Sequence, residues 1–218
     1  SYGSWVTFHD QMGVAEAKKC MRAAFDAGVN FFDNAEGYAK GQSEVVMGQA
    51  LKDFKRDELI ISTKIFWGGD KPNQEGLSRK HIIEGTQNSL KRFNLDYVDL
   101  LYCHRPDPNT PIEETVRAMN WCIDKGYALY WGTSVWSQAQ LQEAYDVADR
   151  LGLIRPTMEQ PPYSMLRRDN IEKEYLPLYE KYGLGTTTFS PLASGILSGK
   201  YNNGIPEGSR LDQLVWLR

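Results

Sequence analysis

The sequence predicts a (β/α)8 barrel, an architecture in which each parallel strand is followed by a helix. Short apolar runs rich in β-branched and aromatic residues alternate with longer amphipathic segments along the 218 residues. The connections are short, and no G-x-G-x-x-G turn follows the first strand, as a doubly wound dinucleotide-binding sheet would normally require. A barrel needs no such turn, and it is therefore favoured over the doubly wound sheet.

Six apolar runs predict buried parallel strands, and a short stub at residues 1–5 precedes them. The runs cover residues 29–33, 59–64, 98–104, 128–134, 157–160 and 185–190. A complete barrel has eight strands and typically about 250 residues. Either the sheet is open or the chain is part of a barrel. We favour a single barrel domain over residues 1–218 that lacks most of strand 1 and the eighth βα unit.

Helical periodicity fills the intervals between these runs. The predicted helices cover residues 14–27, 42–54, 79–93, 112–125, 137–151 and 171–182. Glycines that follow helices and precede strands predict the helix ends, as at Gly28 and Gly152. Pro111 is expected in the first turn of its helix, and Thr110 and Glu113 have the spacing of a capping box.

Composition argues against several classes of protein. The net charge of −3 does not suit a nucleic-acid-binding protein, which normally shows a basic excess. No apolar stretch approaches the roughly 18 residues of a membrane-spanning helix, and the first residues do not form a signal peptide. Three distant cysteines and three histidines indicate neither a disulfide framework nor a metal site, and we expect a reducing, cytosolic setting.

Polar residues end six successive predicted strands. They are Asp33, Lys64, His104, Ser134, Gln160 and Ser190. Because barrel active sites lie at the C-terminal ends of the strands, this succession predicts a reaction site. Lys64 ends an apolar run and is costly to bury without a partner, for which Asp33 is the natural candidate.

Tyr38 follows Asp33 by five residues and can turn back over the barrel mouth. A phenol beside the Lys64 ammonium is expected to have a lowered pKa, while Asp33 holds the ammonium and His104 orients a carbonyl group. This constellation predicts a proton donor for the reduction of a carbonyl group by hydride transfer. The alternative for Tyr38 alone is a loop tyrosine that packs on a helix.

The segment Phe32-Asp33-Asn34-Ala35-Glu36-Gly37-Tyr38, together with Ser62-Thr63-Lys64 and His104, resembles the Asp/Tyr/Lys/His tetrad of the aldo-keto reductases. Longer strings such as Thr63-Lys64-Ile65-Phe66-Trp67-Gly68-Gly69 and Arg105-Pro106-Asp107-Pro108-Asn109-Thr110-Pro111 are similar to the β subunits of Shaker-type voltage-gated potassium channels and their plant, fungal and bacterial relatives. The resemblance implies a barrel that binds NADP(H) without a Rossmann unit. Phe66 and Trp67 are candidates for shaping the substrate pocket.

The same resemblance implies the cofactor contacts. Trp5 and Gln11 would line the nicotinamide and substrate end, with Asp33 beside them. Ser134 and Gln160 would bind the carboxamide, and Phe189 would stack on the ring. The segment Ser190-Pro191-Leu192-Ala193-Ser194-Gly195 would span the pyrophosphate, with Lys200 and Arg210 at the phosphate end. Animal relatives often carry Asn in place of His104 and have Arg in place of Val135, so here the tetrad is complete, but the resemblance implies that one cofactor contact is missing at Val135.

Three functions therefore remain open. The first is an NADP(H)-dependent reductase of small aldehydes or ketones with Tyr38 as proton donor. The second is a cytosolic and homotetrameric β subunit that binds the α subunit of a potassium channel and uses bound NADP(H) as a redox sensor. The two are compatible. The third is a barrel without activity, which would neither bind NADPH nor unfold cooperatively.

Overall fold

The computed structural model describes residues 1–9 and 11–217, which form one parallel sheet flanked by helices. The strands are β1 (Tyr2–Gly3), β2 (Phe31–Asp33), β3 (Ile60–Ile65), β4 (Val98–Cys103), β5 (Ala128–Thr133), β6 (Met158–Glu159) and β7 (Gly185–Thr186). Each strand pairs in parallel with the next strand along the chain. The predicted alternation of strands and helices is confirmed, and the arrangement is that of a partial (β/α)8 barrel.

The sheet is curled, as shown by side chains of distant strands that meet inside it. Asp33 at the end of β2 accepts a hydrogen bond at 3.3 Å from Nε2 of Gln160, which follows β6. The Tyr102 hydroxyl on β4 lies 2.9 Å from Oγ1 of Thr187, which follows β7. Polar side chains at the C-terminal ends of the strands therefore converge on one interior.

Helices cover the outside of the sheet and bury its apolar face. They are α1 (Val14–Asp26), α2 (Gln42–Leu51), α3 (Arg79–Phe93), α4 (Ile112–Asp124), α5 (Gln138–Leu151), α6 (Leu176–Tyr182) and α7 (Arg210–Gln213). Consecutive helices from α1 to α5 pack against each other. Core residues such as Ile61, Leu101 and Trp131 are completely buried between the helices and the strands. No helix in the part of the chain described is long and apolar enough to cross a membrane.

Two details of the predicted helices are wrong. The helix predicted over 171–182 is divided into a π-helical segment (Asn170–Glu174) and α6. Pro177 lies in the first turn of α6, where its missing N–H removes no helical hydrogen bond. The capping box at Thr110 does not form, because α4 begins at Ile112 with Pro111 as its N-cap, and the Thr110 hydroxyl donates to Asp107 Oδ2 at 2.8 Å.

Two strands, β6 and β7, end earlier than predicted. β6 ends at Glu159, so Gln160 directly follows it, and β7 ends at Thr186, so Ser190 lies four residues beyond the strand rather than at its end. Pairing resumes further along, where Phe189 forms a parallel bridge with Pro162. This bridge brings the segment that begins at Ser190 back to the rim of the curled sheet.

Candidate active site

The ends of β2 and β3 bring three of the predicted residues into direct contact. Lys64 Nζ donates to Asp33 Oδ2 at 2.6 Å and to the main-chain oxygen of Asn34 at 2.6 Å. The same Nζ donates to the Tyr38 hydroxyl at 3.1 Å. Asp33 ends β2 and Lys64 is the penultimate residue of β3, so adjacent parallel strands present both groups at one edge of the sheet. The expected partnership of Lys64 and Asp33 is present.

Lys64 is completely buried, yet its environment favours the charged form. Burial by itself lowers the pKa of a lysine, because the ammonium loses its hydration. The Asp33 carboxylate and the hydrogen bonds with Asp33 and Tyr38 outweigh burial and raise the pKa of Lys64 above its ordinary value. A fixed positive charge therefore lies next to the Tyr38 oxygen.

The protonation of Tyr38 differs from the expectation. Burial raises the pKa of Tyr38 above its ordinary value, and the Lys64 ammonium opposes this effect without outweighing it. The Asp33 carboxylate adds to the rise. The predicted fall of the Tyr38 pKa is therefore wrong, because the phenolate would lose more hydration energy on burial than it gains from the ammonium. Tyr38 keeps its proton at neutral pH, which is the form that a proton donor needs.

Two neutral donors fix the Asp33 carboxylate. Ser62 Oγ donates to Asp33 Oδ1 at 2.6 Å, and Gln160 Nε2 donates to the same oxygen at 3.3 Å. Gln160 Nε2 also reaches Thr187 Oγ1 at 3.4 Å. A carboxylate with this many donors is held in one orientation and therefore holds Lys64 in turn.

His104 lies against Tyr38 on the other side of the site. It directly follows β4, and its ring meets the Tyr38 ring edge-on with 5.7 Å between the centroids. Burial, together with the positive charges of Lys64 and Arg105, holds the pKa of His104 well below its ordinary value. His104 is therefore neutral at pH 7, and one of its ring nitrogens can donate a hydrogen bond to a carbonyl oxygen.

These groups open into a cavity of about 1320 Å³ at the C-terminal ends of the strands. Most of the predicted site residues line this cavity: Trp5, Asp33, Tyr38, His104, Ser134, Gln160, Phe189, Ser190, Pro191, Leu192, Ser194, Gly195, Lys200 and Arg210. Lys64 lies buried behind Asp33 and Tyr38 and acts through them. Of the two residues expected to shape the substrate pocket, Trp67 lines the cavity and Phe66 is not among the lining residues.

The structure does not bring Gln11 to the cavity. Its main-chain N–H donates to the Thr7 oxygen at 3.0 Å within the loop that precedes α1, and its side chain is exposed. Gln11 is also not among the lining residues. The expected nicotinamide contact of Gln11 is therefore not supported by this structure.

The wall formed by residues 190–210 suits an anionic ligand. Ala193, Ser194 and Gly195 have positive φ angles of 47°, 58° and 96°, a backbone conformation that costs energy at non-glycine positions and is common at ligand-binding segments. Lys200 and Arg210 line the same wall, and neither forms an ion pair with a carboxylate in residues 1–9 and 11–217. Arg210 Nε is buried with no hydrogen-bond partner among those residues. Uncompensated cations beside a strained backbone segment fit the phosphate groups of a dinucleotide.

The sequence analysis did not select two side chains that the structure places in or beside the site, Arg105 and Glu159. Arg105 directly follows His104, lines the cavity and donates to the Ser134 hydroxyl at 3.3 Å. Glu159 lies completely buried on the opposite face of β6 from Gln160. The only signal for Glu159 was a carboxylate inside an apolar run, and the signal for Arg105 was a cation next to a predicted catalytic histidine.

Glu159 holds the turn that carries Ser134. Its carboxylate accepts from Thr133 Oγ1 at 2.5 Å and from the main-chain N–H of Trp136 at 3.2 Å. Val135, between them, has a φ of 59°, which is unusual for a β-branched residue. Burial raises the pKa of Glu159 to about 7, although these donors oppose the rise. The turn at the floor of the cavity thus depends on a carboxyl group that titrates near neutrality.

Comparison with known proteins agrees with this geometry. The family described as "Aldo/keto reductase family" matches residues 1–214. A "Probable voltage-gated potassium channel subunit beta" from Oryza sativa subsp. japonica and one from Arabidopsis thaliana are each 61% identical to this chain over 213 residues, covering 96% of the chain and 65% of each relative. A "Putative voltage-gated potassium channel subunit beta" from Schizosaccharomyces pombe is 52% identical over 216 residues, covering 97% of the chain and 63% of that protein.

The chain therefore spans slightly less than two thirds of the length of these curated relatives. The match over residues 1–214, the parallel strands and the contact of Lys64 with Asp33 and Tyr38 all lead to the same conclusion. The chain belongs to the aldo/keto reductase family.

Proposed function

We propose that the protein is an NADP(H)-dependent oxidoreductase that reduces small aldehydes or ketones to alcohols, with Tyr38 as the proton donor. One observation carries this proposal: Lys64 Nζ contacts both Asp33 Oδ2 at 2.6 Å and the Tyr38 hydroxyl at 3.1 Å at the floor of a large cavity. A phenol held against a permanently charged ammonium can release its proton in the transition state more easily than an isolated phenol.

Each side chain has a separate task in this proposal. Tyr38 gives its proton to the carbonyl oxygen as negative charge develops there, and Lys64 stabilises the phenolate that remains. Asp33, fixed by Ser62, keeps Lys64 in place. Neutral His104 donates an N–H to the same carbonyl oxygen and orients it. Trp67, whose ring centroid lies 5.0 Å from that of His104, closes one side of the substrate space.

NADP(H), when bound, would supply or accept the hydride. Trp5, Ser134, Gln160 and Phe189 would hold its nicotinamide end, because they line the cavity next to the tetrad. The segment 190–195 would take the pyrophosphate, and Lys200 and Arg210 would neutralise the phosphate charges. The lack of carboxylate partners for these two cations among the described residues supports this assignment.

The test is the reduction of 4-nitrobenzaldehyde with NADPH by the wild-type protein and by Tyr38→Phe. We expect the substitution to lower kcat/KM by at least about 100-fold, because general acid catalysis contributes roughly 10²–10⁴-fold. Tyr130→Phe is the matched control, since Tyr130 lies in the first half of β5 with 53% of its surface exposed and is not among the cavity-lining residues. Equal activity in the wild-type and Tyr38→Phe proteins would exclude Tyr38 as the donor.

A second function is favoured by the names of the relatives, which describe channel β subunits at 52–61% identity. In this proposal the protein is a cytoplasmic homotetramer that binds the α subunit of a voltage-gated potassium channel and responds to the redox state of its NADP(H). Co-purification with the cytoplasmic tetramerisation domain of a channel, in a complex whose mass corresponds to four copies of each, is the test. A monomer that does not bind that domain contradicts this second function and leaves the reductase untouched.

A further inference from the structure

Four cationic side chains line the cavity, and they lie in three places. Lys200 and Arg210 belong to the wall assigned above to phosphate, and Arg167 belongs to an exposed turn at the rim. Arg105 is separate from them, because it adjoins His104 in the chain and reaches Ser134. A cation apart from the phosphate wall therefore lies next to the catalytic side chains.

Arg105 has no counterion in the described part of the chain. Its Nη1 donates to the main-chain oxygen of His104 and, at 3.3 Å, to Ser134 Oγ. Its Nε and Nη2 have no hydrogen-bond partner within residues 1–9 and 11–217, and no carboxylate there forms an ion pair with it. The nearby carboxylate of Glu159 is already used by Thr133 and by the turn at Trp136.

A partly buried guanidinium without a carboxylate is costly unless a ligand supplies the charge. Burial lowers the pKa of Arg105, although its interactions with Tyr38 and Glu159 partly offset this effect. The planar fork of an arginine is suited to a carboxylate, which it can bind through two parallel hydrogen bonds. The guanidinium fork of Arg105 therefore has the chemistry of a carboxylate-binding subsite.

Trp67 connects this subsite to the reacting centre. The Arg105 guanidinium carbon lies 5.3 Å from the centroid of the Trp67 ring, and the centroid of the His104 ring lies 5.0 Å from it. Trp67 is 41% exposed and lines the cavity together with both residues. A flat hydrocarbon or aromatic body on Trp67 would thus lie close to a hydrogen-bond donor for a carbonyl and to a guanidinium.

We propose that Arg105 binds a carboxylate of the substrate, so that the preferred substrates are aldehydes or ketones that carry a carboxylate one ring or short chain away from the carbonyl group. This inference rests on the proposed carbonyl reduction and names its substrate class. Trp67 supports the body of the substrate, and Arg105 binds its carboxylate while Tyr38 and His104 contact its carbonyl group.

The test compares 4-carboxybenzaldehyde with its neutral counterpart, methyl 4-formylbenzoate. The variants are Arg105→Met, which keeps an unbranched apolar stem without the charge, and Arg105→Lys, which keeps the charge without the fork. Arg155→Met is the matched control, because exposed Arg155 also stacks on an aromatic ring, that of Tyr182, but precedes β6 at the opposite end of the sheet.

We expect Arg105→Met to lower kcat/KM for 4-carboxybenzaldehyde by at least about 10-fold and to change that for the methyl ester by less than about threefold, since hydrogen bonds to charged groups are worth roughly a 10- to 100-fold change in binding. Arg105→Lys should lie between the wild-type protein and Arg105→Met. Arg155→Met should leave the ratio of the two substrates unchanged. An equal loss for both substrates, or a weaker affinity for NADPH that explains the whole loss, would overturn the proposal and assign Arg105 to folding or to the cofactor.

A binding measurement without NADPH separates this inference from the proposed function. Saturation-transfer NMR compares 4-(hydroxymethyl)benzoate with its methyl ester in the wild-type and Arg105→Met proteins. If neither aldehyde is reduced but the benzoate still binds in an Arg105-dependent manner, the reductase proposal fails and the carboxylate site stands. If Tyr38-dependent reduction of the methyl ester occurs and Arg105 does not affect the carboxylate substrate, the reductase stands and the carboxylate site fails.

Discussion

Glu159 shows how one buried residue can make the site depend on pH. Its carboxyl group supports the turn at Ser134 and Val135 through hydrogen bonds from Thr133 and Trp136. Burial raises its pKa from 4.5 to about 7. In the unfolded chain the group would titrate near its ordinary value, so between about pH 4.5 and 7 the folded protein binds more protons than the unfolded chain.

This difference predicts that stability falls as the pH rises. A carboxyl group whose pKa is raised on folding stabilises the folded protein fully below its unfolded pKa of about 4.5. This stabilisation, about 3 kcal/mol for Glu159, is lost as the pH rises to about 7. Glu159→Gln removes it while keeping an acceptor oxygen. The free energy of unfolding is measured in urea for both proteins at pH 5 and at pH 8. Between these two pH values, the stability of Glu159→Gln relative to the wild-type protein should rise by about 2–3 kcal/mol.

The control is Glu143→Gln, which removes the same charge from an exposed position on α5. A constant difference between Glu159→Gln and the wild-type protein at both pH values would mean that Glu159 does not exchange its proton in this range. Such a result would leave the turn supported by a permanently charged or permanently neutral carboxyl group.

Single residues at the strand ends could be predicted from the sequence, whereas their electrostatics could not. Asp33, Lys64 and His104 each end an apolar run, and the common direction of parallel strands places them together. The pKa of Tyr38 depends on how much water the fold removes from its oxygen, which no local pattern records. The sequence places Arg105 next to His104, but its lack of a counterion among residues 1–9 and 11–217 is a property of the packed structure.

At the scale of the helices, two sequence patterns with the same spacing have different outcomes. Thr110 and Glu113 have the spacing of a capping box, as do Ser137 and Gln140. The box forms at Ser137, where Ser137 Oγ accepts from the Gln140 N–H and the Gln140 side chain accepts from Ser137 N–H. It fails at Thr110, because the helix takes Pro111 as its N-cap, so Thr110 lies one residue before the cap and its hydroxyl donates to Asp107 Oδ2 at 2.8 Å. The spacing predicts a helix start, but a shift of one residue in the N-cap removes the box.

The contact of α2 with α3 depends on a glycine. Gly48 lies in the interior of α2, where alanine would ordinarily be about 1 kcal/mol more favourable. A Cβ at this position would lie 2.3 Å from the main-chain oxygen of Phe93, the last residue of α3. Backbone atoms cannot move aside as a flexible side chain can, so the two helices would have to separate.

We therefore expect Gly48→Ala to destabilise the protein by about 1–3 kcal/mol, against its helix propensity. Gly13→Ala is the control, because Gly13 is the N-cap of α1 with a φ of −83°, and a methyl group at this position would have no other atom within 4 Å. Its effect should stay below about 1 kcal/mol, which is the loss expected from the poorer capping of alanine alone. Urea denaturation of both variants measures the difference, and a Gly48→Ala protein at least as stable as the wild type would refute the close contact.

At the scale of the whole molecule, the charge of the cavity is opposite to that of the protein. The chain has a net charge of −3, but the ionised side chains that line the cavity are Asp33, which is paired with Lys64, and the cations Arg105, Arg167, Lys200 and Arg210. An electropositive cavity in an acidic protein attracts anionic ligands while the remaining surface repels them. The architecture and the strand-end residues followed from the periodicity of the sequence, whereas this charge pattern required the folded arrangement of distant loops.

This charge pattern predicts the salt dependence of cofactor binding. The Kd of NADPH, followed by the tryptophan fluorescence of a protein whose Trp5 and Trp67 line the cavity, should rise with ionic strength because salt screens the attraction. Lys200→Met should raise the Kd by at least about 10-fold and make its dependence on salt weaker. Lys19→Met, which removes an exposed lysine of α1 paired with Glu16, should change neither. A Kd that changes neither with salt nor in Lys200→Met would mean that the cofactor phosphates bind elsewhere. The assignment of the wall formed by residues 190–210 to the phosphates would then be wrong.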